Sequence, residues 1–248
     1  MPVGPMIAEC QFLSELLDLC SAAQREFAIY LADYFGAPAA FEGFMRATAG
    51  GVLEAAERQQ GGDRPLVLKN PELTPHFARL ADWDPQARFL VCLRDPRDTV
   101  AALIRVQARL RTLGQDSDLR RIGRDPVGLV RFIESYYAGL ETVPAERLLT
   151  VRLEDLVTRP QAEGARIAAW LGLACDLEVF AGGGARPADA RAFSPDRSDT
   201  FARAYWSPHY ARGPSSAALG TYRGTLSAAE IKAVEGAAAG LNARFPYW

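Results

Sequence analysis

Lysine, histidine and cysteine are all scarce in this chain. Of its 248 residues two are histidine and four are cysteine, and among 28 basic residues only Lys69 and Lys232 are lysine. The cysteines (Cys10, Cys20, Cys92 and Cys175) form no CxxC pair and no metal-ligand spacing. Neither a disulfide framework nor a zinc site is expected, and the plain reading is unpaired thiols in a reducing, cytoplasmic compartment. No apolar run exceeds about six residues, far below the ~20 of a membrane helix. The opening Met1-Pro-Val-Gly-Pro-Met6 has neither the basic region nor the long apolar stretch of a signal peptide. A net charge of −2 excludes a globally basic nucleic-acid binder. With 49% hydrophobic and 23% charged residues, the chain has enough apolar matter for a core and too little net charge for wholesale disorder. The arginine excess is the mark of a GC-rich coding bias, so the place where a lysine survives carries information.

Helix dominates the front of the chain. Phe12, Leu13, Leu16, Leu17 and Leu19–Cys20 give an apolar stripe that Phe27, Ile29–Tyr30 and Tyr34 continue to a stop at Gly36-Ala-Pro38. A second helix is predicted over Phe41–Gln59. Pro65–Leu68 is a short apolar run that reads as a strand buried on both faces, followed by Lys69-Asn-Pro71 and a helix over Pro75–Trp83. Ala87–Leu93 is the clearest strand, and a helix from about Asp98 to Leu113 follows its Arg94-Asp-Pro96 ending. The polar stretch Gly114–Pro126 reads as a mobile loop. A helix over Val127–Glu141, the strand Leu148–Arg152, a helix ending near Leu171-Gly172 and a final capped helix over Ser227–Phe245 complete the pattern, the last opening with a Ser-Ala-Ala-Glu capping box. Residues 174–215 show little periodicity and read as an irregular lid or insert. Strands alternating with helices at this spacing imply βαβ units and a parallel sheet in an α/β fold. There is no repeat, no heptad pattern and no evident linker, so a single domain over residues 1–248 is expected.

In parallel α/β sheets ligands bind beyond the C-terminal ends of the strands. Here those ends carry Lys69-Asn-Pro, Arg94-Asp-Pro-Arg-Asp98 and Arg152-Leu-Glu-Asp155. Singly, each reads as an ordinary strand-end cap paired with a neighbouring carboxylate. Together on one rim they suit an anion such as phosphate or sulfate, helped by the unpaired amides at the start of the helix after Arg94.

The segment Leu66–Val106, with its lysine after one strand and its RDPRD turn after the next, resembles the sulfotransferase family. Leu148–Pro160 (LLTVRLEDLVTRP) is similar to that family's V-R-Y-E-D-L…P strand, and Leu219–Ser227 (LGTYRGTLS) to its C-terminal G-x-W-[RK]…L-[ST] segment. The ordered set covers most of residues 1–248. The resemblance implies a three-layer, P-loop nucleotide-hydrolase-like architecture around a central parallel sheet. It also implies transfer of a sulfonate from 3′-phosphoadenosine-5′-phosphosulfate to a hydroxyl or amine, in line and without a metal. Carried over by position, Lys69 would sit beside the sulfonate in flight, Arg94 would hold the donor's 3′-phosphate, and Tyr222 and Arg223 would close over the nucleotide. Many members use a histidine two residues after the lysine, where this chain has Pro71. Others use a glutamate shortly after the first helix, a place that Ile7-Ala-Glu9-Cys10 resembles, which makes Glu9 the candidate general base, the alternative being a solvated first-turn charge. His76, inside a predicted helix, reads as structural.

The chain also departs from the pattern. No Ser-Gly-Thr phosphate loop occurs, and none of the 21 glycines stands in a Walker-like context. The family's opening strand–loop–helix unit, about 25 residues at typical element lengths, is therefore expected to be missing, as in a fragment, a truncated gene product or a short variant. Ala102 stands where the family keeps a serine against the 3′-phosphate, with Thr99 one turn earlier as a weak substitute, and Leu153 stands where it keeps an adenine-side tyrosine. Two other functions stay open: a degenerate sulfotransferase-like protein that binds a nucleotide or partner without catalysis, and a P-loop kinase-like phosphotransferase. The acceptor, whether small molecule, glycan or peptide, is not encoded legibly. Phe193, Phe201, Tyr205, Trp206 and Tyr210 read equally as its wall and as filler beneath a loop, with His209 nearby in sequence.

Overall fold

In the computed structural model, which describes residues 6–8, 10–59, 65–174 and 215–248, the chain divides into two units. One comprises Met1–Arg88 with Gly139–Arg147, the other Phe89–Ala138 with Leu148–Trp248.

The first unit opens with strand β1 (Met6–Ala8), which pairs in parallel with β2 (Val67–Lys69) so that Ala8 stands level with Lys69. This strand is a correction to the sequence reading, which expected helix at the front; three residues are too few for an alternating pattern to show. Only positions 9 and 10 separate it from helix α1 (Gln11–Arg25). Two short helices, α2 (Phe27–Tyr30) and α3 (Ala32–Phe35), end at Gly36, whose φ of 68° suits a residue without a Cβ. The long helix α4 (Pro38–Gln59) follows. Leu13 and Leu17 of α1 pack with Ala49 of α4 and with Leu73, while Cys20 packs with Phe41 and Met45. These are i, i+4 stripes on the two helices, which is why both are helical and why they meet. A 3-10 helix (Pro71–His76) leads into α5 (Phe77–Trp83). The end of α5 is tied down by Arg147, whose guanidinium donates to the carbonyls of Ala81, Asp84 and Ala87 at 3.0, 2.6 and 2.9 Å.

The second unit is built on β3 (Phe89–Leu93) and β4 (Leu148–Arg152), parallel and in register from Phe89–Leu148 to Leu93–Arg152. Phe89, Val91 and Leu93 are buried while Leu90 and Cys92 are exposed, the period of two expected of a strand covered on one face. Helix α6 (Pro96–Thr112) carries the core of this unit: Val100, Ile104 and Leu110 pack against Leu129 and Val130 of α8 (Pro126–Ser135) and Val234 of α11 (Ala228–Ala237). The expected loop at 114–126 instead contains helix α7 (Asp118–Ile122). Its order has two sources: Ser117 caps it, and the buried Gln107 side chain donates to the carbonyls of Leu119 and Gly123, each at 2.7 Å. Helices α9 (Leu153–Thr158) and α10 (Pro160–Leu171) follow β4 directly. The C-terminal helix has the predicted capping box at Ser227 and Glu230, but it breaks at Ala238 into α11 and α12 (Ala239–Arg244).

Among the described residues the strands form two parallel pairs amid predominant helix, so the parallel α/β character is present. No helix among them is long and apolar enough to cross a membrane. The predicted lid or insert at 174–215 falls almost wholly outside the described residues.

Candidate functional site

At the end of β3 the chain turns through Arg94-Asp95-Pro96. The Asp95 side chain accepts from the Arg97 amide at 2.8 Å, and Pro96 takes the first helical position, where a missing N–H costs nothing. The Asp95 amide in turn donates to Glu154 at 2.9 Å, joining the end of β3 to the segment after β4. Arg94 is thereby held, half-buried, at the strand end. Arg97 is used up structurally: it forks onto Asp95 at 2.7 Å, reaches Glu235 at 2.8 Å, and lies over the rings of Tyr222 and Trp248 at 4.8 and 4.7 Å. Its hydrogen bonds to Asp95 push its pKa above the ordinary arginine value.

One turn on, Asp98 is 2% exposed. Its carboxylate accepts from the Gly220 amide at 2.7 Å, the Tyr222 amide at 2.9 Å and the Thr221 hydroxyl at 3.0 Å. A buried carboxylate is tolerable only when so satisfied. Gly220 has φ 66°, a conformation that favours a residue without a Cβ. Tyr222 is buried, and the exposed Arg223 lies over its ring at 4.7 Å. Arg105 donates to the hydroxyls of Thr225 and Thr221 at 2.8 and 3.3 Å. Burial, and then the positive charge of Arg94 and Arg109, push its pKa down. The hydroxyl of Thr99 donates to the Asp95 carbonyl at 3.1 Å, which leaves it an acceptor rather than a donor toward any anion. The structure thus gathers Arg94, Tyr222 and Arg223 around the start of α6, as a cation-rich strand end suited to an oxyanion, with Thr99 close by but its proton given to the Asp95 carbonyl.

In the first unit Lys69 is the last residue of β2, half-buried. Asn70 fixes the turn after it: its side chain accepts from the Glu72 amide at 3.0 Å and donates to Ser14 at 3.2 Å. Cys10 lies close enough to Lys69 for the ammonium to favour its thiolate, although burial outweighs this and raises the thiol's pKa. Glu9 itself lies outside the described residues, as do His209 and the aromatic residues between 193 and 210. His76 is buried and bonded to Asp18 at 3.0 Å, in keeping with a structural role. Among the described residues no group of three or more His, Cys, Asp or Glu is arranged to hold a metal ion.

Sequence reasoning assigned no task to Asp98, Arg105 or Glu154. Asp98, Arg105 and Arg109 recur at i, i+7 and i+11 along α6, so a polar stripe was visible in the spacing.

The model of the sulfotransferase family matches residues 15–176. Among solved structures, the sulfotransferase domain from the curacin biosynthetic pathway matches with 15% identity and a TM-score of 0.47, covering 96% of this chain and 87% of its own. The sulfotransferase domain of the Synechococcus PCC 7002 olefin synthase matches with 18% identity and a TM-score of 0.44, covering 95% of each. No curated protein matches the sequence. The family assignment rests on the family model, which spans well over half of the chain.

Proposed function

This chain belongs to the sulfotransferase family, and from that premise we propose that it moves a sulfonate group from 3′-phosphoadenosine-5′-phosphosulfate to a hydroxyl or amine acceptor. The observation that carries the reading is the gathering of guanidinium groups where β3 gives way to α6. Arg94 takes the 3′-phosphate there, and the Tyr222-Arg223 pair, braced by Asp98, closes on the nucleotide. In the transfer, the acceptor oxygen or nitrogen forms a bond to sulfur as the bond from sulfur to the bridging phosphate oxygen breaks. Lys69 stabilises the negative charge gathering on that bridging oxygen, and Glu9 takes the acceptor's proton. The products are the sulfonated acceptor and adenosine 3′,5′-bisphosphate, with no metal called on. The proposal includes one three-layer, P-loop nucleotide-hydrolase-like domain over the whole chain, acting in the cytoplasm on a small-molecule, glycan or peptide acceptor.

Calorimetric titration with adenosine 3′,5′-bisphosphate, followed by a transfer assay with labelled donor, tests it. Binding with transfer is the expected result. Binding without transfer under any acceptor panel would favour the non-catalytic alternative, and a protein that does not bind the nucleotide would sink the donor assignment.

A further inference from the structure

Two half-buried arginines here have a carboxylate: Arg97 has Asp95 and Glu235, and Arg79 has Glu42. Arg105, also half-buried, makes no ion pair among the described residues. Its two hydrogen bonds go to neutral hydroxyls, each of which passes its own proton onward, Thr221 to Asp98 and Thr225 to the Thr221 carbonyl. These contacts orient the guanidinium without cancelling its charge. Asp98, the carboxylate facing it, accepts three hydrogen bonds from neutral groups, so it keeps its charge and offsets one of the cations around it. The other charges facing Arg105 are the cations Arg94 and Arg109. Taking a cation out of water beside two others is unfavourable unless an anion joins them. Arg105 also stands one turn after Ala102 on the same face of α6, and long helical side chains lean back over the preceding turn. Position 102 offers only a methyl group there, with no hydroxyl.

We infer that Arg105 is a further donor-binding residue, which takes the nucleotide's 3′-phosphate together with Arg94 in place of the hydroxyl that position 102 lacks. This rests on the donor reading above and adds to it a specificity for the 3′-phosphate. Thr221 and Thr225 are then positioning residues that hold the guanidinium fork ready.

The test compares adenosine 3′,5′-bisphosphate with adenosine 5′-monophosphate, which lacks the 3′-phosphate, by calorimetry on the wild type, Arg105→Gln and Arg105→Lys. Arg105→Gln is expected to weaken the bisphosphate by about tenfold to a hundredfold, the worth of one charge-assisted contact, and to leave the monophosphate unchanged. Arg105→Lys keeps the charge without the fork and is expected to lose several-fold, again on the bisphosphate alone. An arginine that only staples α6 to residues 221–225 would weaken both nucleotides equally, and that result overturns the inference, as does no change in either. Should Arg105→Gln fail to fold, the lysine variant decides by the same ratio. A wild type that binds both nucleotides alike overturns the donor reading and this inference together. A wild type that prefers the bisphosphate, with variants that keep the preference, overturns this inference alone.

Discussion

Two turns in this molecule are written in the same local code and end in different places. Lys69-Asn70-Pro71 and Arg94-Asp95-Pro96 each close a strand with a cation, cap the next helix with an Asx side chain, and start that helix on proline. In both, the cap accepts from the amide two residues on, at 3.0 Å for Asn70 and 2.8 Å for Asp95. The difference is one of charge. Asn70 is neutral and spends its amide on Ser14, so the lysine is the only charge in its three-residue unit. Asp95 is an anion that recruits Arg97, and through it Glu235, Tyr222 and Trp248. The neutral cap opens a six-residue 3-10 helix; the charged one opens a 17-residue α-helix whose polar face carries Asp98 and Arg105. The same punctuation thus closes one strand on a neutral cap and the other on a charged network.

If that division holds, the two cations fail differently. Lys69→Ala is expected to slow transfer by about 10²–10³, the usual loss for one donor aimed at developing charge, while bisphosphate affinity stays within a few-fold. Arg94→Ala should do the reverse. Equal loss of rate and affinity at Lys69 would erase the distinction. Asp98→Ala is expected to cost about 3 kcal/mol of stability in urea unfolding, at about 1 kcal/mol for each of three lost hydrogen bonds, and an unchanged midpoint would mean that the Gly220–Tyr222 turn does not need its brace. Glu9→Gln should lower turnover by about 10² without moving donor affinity; an unaltered rate assigns the acceptor proton elsewhere. The caps themselves give the smallest effect. Asn70→Ala is expected to cost about 1 kcal/mol, within the usual range for a lost helix cap, and Asp95→Ala more, because it also strips Arg97 of its fork. Equal costs in thermal unfolding would show that the charge on Asp95 adds nothing.

What the sequence revealed follows the range of the interactions involved. Strands β3 and β4 and the Ser227–Glu230 capping box are local patterns, and they were read close to their observed bounds. Lys69 and Arg94 were singled out because each lies at a strand end. Helix α7 was missed because part of its order comes from Gln107, 12 and 16 residues away from the carbonyls it holds. Glu154 and Asp98 act across 59 and 122–124 residues, and no local pattern announces such a pairing. Strand β1 was missed for being short.

The three bonds at Asp98 also impose an order in time. Two of them hold backbone amides of residues 220 and 222 against a side chain from the first turn of a helix formed more than a hundred residues earlier. That turn therefore cannot be protected before α6 exists, and opening the start of α6 releases both amides together. In native-state hydrogen exchange, Gly220 and Tyr222 should behave as members of the α6 unit rather than of the C-terminal helices that follow them in the chain.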